Sequence, residues 1–138
     1  VFLFILAAHL SACSGDKRTF RNEGTLCVRP NAEGPNEITT SAPVVVTVLT
    51  ACASSSCTSE RKASCKVAAG DGTIVVESEG EYRENDGFDK PCTDDCNLDM
   101  MAKCETPALM AGSYLVTHGD DTIRFSVPTT EPPNCTRW

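Results

Sequence analysis

Aromatic residues are scarce in this chain, at 6% of 138 residues, and a core cannot rely on large rings. Histidine is scarcer still, with His9 and His118 alone. No Gly-x-Ser-x-Gly elbow and no Cys-x-x-Cys pair occurs, which removes the usual frames for a serine hydrolase and for dithiol redox catalysis. Basic charge is outnumbered: 12 Lys and Arg stand against 19 Asp and Glu, a formal net charge of −7. That balance argues against nucleic acid, and against anionic lipid bound by charge, because both favour basic surfaces. No stretch sustains a helical apolar period. The longest apolar stretch, Val1 to Ala8, falls well short of the roughly 20 residues that span a bilayer.

What is present begins with that short stretch. His9 and Ser11 interrupt it, Leu10-Ser11-Ala12-Cys13 closes it, and Asp16-Lys17-Arg18 follow. The length fits the h-region of an export signal, although a basic n-region is missing and the first residue is Val1. A plain cleavable signal would prefer a small residue where Leu10 stands. Leu10-Ser11-Ala12-Cys13 resembles the lipobox of bacterial lipoproteins. The resemblance implies that residues 1–12 are a signal peptide and that Cys13 carries a thioether-linked diacylglycerol, with an amide-linked third chain in many envelopes. Two or three acyl chains anchor stably where one would not. By the same analogy, Ser14 rather than Asp after the cysteine points to the outer membrane of the cell envelope. Residues 13–24 then read as the lipidated cysteine and a polar tether, and residues 25–138 as a single β domain.

Of nine cysteines, eight remain once Cys13 is set aside: Cys27, Cys52, Cys57, Cys65, Cys92, Cys96, Cys104 and Cys135. An even number in an exported chain suits a four-disulfide framework. Zinc would compete, but the Cys92-x3-Cys96 and Cys52-x4-Cys57 spacings are not clean half-sites.

The remaining pattern is short strands. Val44 to Thr50 is a β-branched run suited to burial. Ala63–Ala69 and Thr73–Tyr82 flank Asp71-Gly72, the signature of a type I′ hairpin. Pairing about that turn sets Cys65 opposite Ser78, Val67 opposite Val76, Lys66 opposite Glu77 and Lys62 opposite Glu81. Ile74, Val76 and Tyr82 then face inward and Glu77, Glu79 and Glu81 outward. Leu98 to Glu105 alternates as well, with Leu98, Met100, Ala102 and Cys104 on one face and Met101 as an apolar exception on the other. Ser113–His118 and Thr122–Val127 form a last hairpin around Gly119-Asp120-Asp121, with Tyr114, Val116, Ile123, Phe125 and Val127 inward. About seven strands predict an all-β, disulfide-stapled sandwich.

Leu109-x-x-Gly112-x-Tyr114 followed by a hairpin resembles the closing strands of an immunoglobulin-like domain, which implies a corner role for Tyr114. Val116 stands where a true immunoglobulin domain has cysteine, and Trp138 is terminal rather than central. The Cys52-x4-Cys57 segment and the last hairpin also resemble small Cys-rich lipoproteins common in myxobacteria, which carry no activity to transfer. Cys65 and Cys104, both inward, are expected to bridge the sheets, and Cys27 and Cys135 to tie the ends. Cys52, Cys57, Cys92 and Cys96 then staple two loops.

Candidate chemistry is thin. His118, the one histidine after Cys13, reads as a partly exposed turn residue. Asp86, Asp89, Asp94, Asp95 and Asp99 crowd the Cys92–Cys96 region, and Asp94, Asp95 and Asp99 are the nearest thing to calcium ligands, without the order of an EF-hand. No catalytic residue and no cofactor is expected. The functional expectation is a membrane-anchored, non-enzymatic binding or structural module contacting a protein in the envelope or outside the cell. The alternatives are a disulfide-stapled protease inhibitor, using a loop such as that bounded by Cys52 and Cys57, and a small hydrolase.

Overall fold

The computed structural model describes residues 15–31, 37–85, 91–96 and 98–137. Eight strands form two sheets: β1 (Asp16–Arg21), β2 (Thr25–Pro30), β3 (Val44–Leu49), β4 (Thr58–Ala69), β5 (Thr73–Glu84), β6 (Met101–Glu105), β7 (Gly112–His118) and β8 (Asp121–Val127). One sheet holds β4, β5, β1, β7 and β8, the other β2, β3 and β6 in that order. The protein is an all-β, disulfide-rich sandwich. Tyr114 takes the corner geometry, its hydroxyl donating to the Met110 carbonyl at 2.9 Å. One pairing departs from the wholly antiparallel immunoglobulin arrangement: β7 runs parallel to β5.

Alternation accounts for the core. Ile74 and Val76 of β5, Val116 of β7, and Ile123, Phe125 and Val127 of β8 meet Leu26, Val28, Val44, Val46, Val48 and Ala102 of the smaller sheet. Aliphatic side chains dominate, as the low aromatic content requires. β3, central in its sheet, is buried along most of its length, which explains its unbroken β-branched run.

The β4–β5 register is Cys65↔Ser78, Lys66↔Glu77, Val67↔Val76 and Lys62↔Glu81, with Asp71-Gly72 as the two-residue connection. The turn type differs from expectation. Type I′ needs positive φ at both central residues, but Gly72 (φ 72°) has it and Asp71 does not. A left-handed second position is the type II pattern. The Gly72 carbonyl accepts from Leu115 N–H at 2.8 Å, and so begins the β5–β7 pairing.

Three other expectations are corrected. Asp16–Arg21, expected as tether, is a strand paired with β5 over its whole length, from Asp16↔Glu84 to Arg21↔Glu79. Its polar sequence hides it because it is exposed over almost all of its length. The Leu98–Glu105 strand begins only at Met101, after a 3₁₀ turn over Leu98–Met100. β4 extends back to Thr58 through a bulge between Ser59 and Lys62, where Glu60 is left-handed (φ 51°). The extra residue flips the strand's parity, so Thr58 is buried although Lys62, four residues on, is exposed.

The disulfides are Cys65–Cys104, which joins the two sheets, Cys27–Cys135, Cys52–Cys96 and Cys57–Cys92. Replacing Cys65 and Cys104 together by alanine should lower unfolding free energy by about 3–4 kcal/mol on the chain-entropy argument, measurable by denaturant titration. Reduction of the native protein should add eight hydrogens to the intact mass, two for each of the four bridges.

Candidate functional site

Residues 51–57 and 91–96 meet where β4 starts and β5 ends. Thr58 pairs with Glu84 there, and Asn85 N–H donates to the Cys57 carbonyl at 2.8 Å. Cys52 is joined to Cys96 and Cys57 to Cys92, so both bridges run between the loops. The loop bounded by Cys52 and Cys57 is thus stapled to residues 91–96, as two loops held by these four cysteines. Hydroxyls complete the clasp: Thr93 N–H donates to Ser56 Oγ at 2.8 Å, and the Ser54 and Thr93 hydroxyls lie 3.0 Å apart.

The acidic residues of this region do not converge. Asp95 accepts from the Thr93 hydroxyl and from Ser55 N–H at 3.1 Å, and these bonds lower its carboxyl to about 2. Asp99 pairs with Arg61 Nε at 3.4 Å, and Asp94 is exposed. Among the described residues no group of three His, Cys, Asp or Glu side chains is placed to hold a metal ion. Asp86 and Asp89 lie outside the described residues, as do His9 and Cys13.

His118 is not a partly exposed turn residue; it is 2% exposed. It shares inward parity with Tyr114 and Val116 on β7, a signal the sequence already held. Its Nε2 lies 2.7 Å from Ser78 Oγ, which is also buried. Asn22, left-handed at φ 51°, accepts from Ser78 N–H through Oδ1 at 2.9 Å and donates its own N–H to the Ser78 carbonyl at 2.8 Å. A serine and an imidazole at this distance have the spacing of a nucleophile and its base. The third group goes elsewhere: Asp121 accepts from the Thr136 hydroxyl at 3.0 Å and from Arg137 Nη2 at 2.8 Å. The pair is a hydrogen-bonded, buried polar contact between β5 and β7.

Of the outward stripe, Glu79 and Glu81 line an open cleft of about 580 Å³ across β1, β5 and β4, and Glu77 lines a smaller hollow beside it. Lys17 Nζ lies 2.6 Å from Glu81 and Lys62 Nζ 3.5 Å, while the Ser64 hydroxyl donates to Glu79 at 3.3 Å. The hydrogen bond and charge of Lys17 hold the Glu81 carboxyl below its ordinary range, with Lys62 adding to the effect. Sequence reasoning found the lysine of β4 but missed Lys17, because β1 itself was missed.

Burial holds the His118 imidazole below its ordinary pKa, and the nearby Asp121 charge opposes the shift. The unfolded chain thus binds a proton near pH 6.5 that the folded protein binds only at lower pH. Stability should be insensitive to this group above pH 7 and fall as pH drops through about 6.5 toward the folded value. His118→Gln, which retains a hydrogen-bonding partner for Ser78, should flatten that part of a melting-temperature profile taken between pH 7.5 and 5. An unchanged slope would remove His118 as its source.

No protein-family model, curated protein or solved structure matches this chain, so its function is read from these residues alone.

Proposed function

We propose that this protein is a lipid-anchored module of a bacterial cell envelope, held in the membrane through Cys13 and acting by binding rather than by catalysis. The observation that carries the anchor is cysteine closure. Eight of the nine cysteines are paired among themselves, and the ninth is the cysteine of Leu10-Ser11-Ala12-Cys13. An unpaired thiol is chemically exposed in an oxidising compartment, and a lipid thioether removes it.

The binding role is supported by what the surface offers. Two loops are fixed by two bridges and a hydroxyl network, and a charged cleft crosses one sheet face. Ser78 and His118, the one close serine–histidine contact described, are buried and occupied with each other. A protein partner in the envelope or outside the cell fits such rigid, polar surfaces. Inhibition of a protease is the second reading, favoured by the Ser54–Ser56 segment, which the bridges and Thr93 pin in place.

With a start codon and a basic n-region supplied in a bacterial host, the chain should incorporate a labelled fatty acid and fractionate with membranes. Cys13→Ser should lose both properties while keeping its four disulfides. Persistent acyl labelling of Cys13→Ser would refute the anchor. Stoichiometric inhibition of a protease by a soluble fragment beginning at Ser14 would favour the inhibitor, and a directly cross-linked envelope protein without inhibition would favour the adaptor.

A further inference from the structure

We infer that the end of the sandwich carrying Cys52–Cys96 and Cys57–Cys92 faces the headgroups of the anchoring membrane, with the Asp71-Gly72 turn as the outward tip. This orientation rests on acylation of Cys13, and the argument for it is one of reach. Gly15 directly precedes β1, which begins at Asp16. Arg83 Nη1 donates to the Gly15 carbonyl at 3.5 Å, and a Cβ at Gly15 would collide with the Glu84 carbonyl, so this backbone lies tight against β5. The next residue, Asp16, pairs with Glu84. Only two residue steps separate Cys13 from Gly15, a reach of about 7 Å when fully extended.

The register then orders the molecule along the membrane normal. Glu84 ends β5, and beside it stand Thr58, Asn85 and Cys57, hence the bridged loops. Thr73 begins β5 at the other end, 11 residues away, which at about 3.3 Å per residue is roughly 36 Å. Among the described residues, the arginines near this end are engaged by carboxylates: Arg18 pairs with Glu84, Arg83 with Glu60 and Arg61 with Asp99. The contact is imposed by the short connection. The net charge of −7 favours an upright domain over one lying along an anionic surface.

This orientation separates the two functional readings. A protease in solution would meet the Ser54–Ser56 segment only against the bilayer, whereas a partner above the membrane meets the Asp71-Gly72 tip and the open side of β8.

The test uses the acylated protein in nanodiscs of phosphatidylethanolamine and phosphatidylglycerol that include a lipid with a gadolinium-chelating headgroup. Amide signals of Asn85, Thr93, Asp94 and Asp95 should be lost, and those of Gly70, Asp71 and Gly72 retained. Inserting about 20 Gly and Ser residues between Ser14 and Gly15, which adds a flexible reach of about 25 Å, should restore the lost signals. Retained signals at the bridged loops, or losses at Gly70–Gly72 as well, would overturn the orientation. Mass spectrometry of the same sample reads the anchor separately. Acyl chains on Cys13 with the wrong broadening pattern would sink the orientation alone, and their absence would sink the anchor and the orientation with it.

Discussion

Strand β5 has three neighbours on two edges, and the rest of the molecule follows from how they share it. β4 takes one edge. On the other, β1 pairs antiparallel with Glu79–Glu84 and β7 pairs parallel with Thr73–Val75. The two partners run in opposite senses relative to β5 and leave a gap between them at Ser78. A bare edge there would expose backbone groups inside the sandwich, at a cost of about 1–3 kcal/mol for each unsatisfied group. Asn22 fills the gap by giving Ser78 both a donor and an acceptor. His118 then meets the Ser78 hydroxyl from β7. At Gly119 an added Cβ would strike the Asn22 carbonyl, so the β7–β8 turn is fitted to this joint as well.

Core chemistry explains the disulfides. The buried set is largely Val, Ile, Leu and Ala, with Phe125 its one aromatic member. Small aliphatic side chains bury less area each than rings do, so covalent restriction of the unfolded chain supplies stability that packing alone would not. Cys27–Cys135 draws the C-terminal segment along β2, where Thr136 exchanges two hydrogen bonds with Leu26. That segment covers a strand edge that would otherwise stand open.

The parts of this fold legible in the sequence are those set by local parity. The β4–β5 register could be read because one turn and one alternating pattern specify it, and a slip of one residue would invert every side chain. Cys65 and Cys104 followed from the same parity. The hidden parts depend on distant chain. β1 has no apolar face to advertise it, since its Lys17 and Arg18 are chosen for partners on β5. Asp71-Gly72 favours a type I′ turn, yet of the two only Gly72 is left-handed. The crosswise pairing of Cys52, Cys57, Cys92 and Cys96 depends on β4 and β5 ending side by side, which spacing alone does not encode. His118 is the instructive miss: its parity was available, but its position beside a turn suggested exposure.

The joint at Ser78 and the connection at Gly15 bear on function from opposite ends of β1. Because β1 is paired over its whole length, the strand transmits position: fixing Gly15 near a membrane fixes Arg21, and through Asn22 and Ser78 it fixes β7 and β8. A domain on a long polar tether could rotate freely and offer any face to a partner. On the proposed anchoring through Cys13, with β1 beginning at Asp16, the domain offers a restricted set of faces. It gives up the gain in encounter range that a flexible linker provides and gains a defined orientation. That exchange suits a module that holds a partner at a set height above the membrane better than one that captures a diffusing enzyme. It favours the adaptor over the inhibitor.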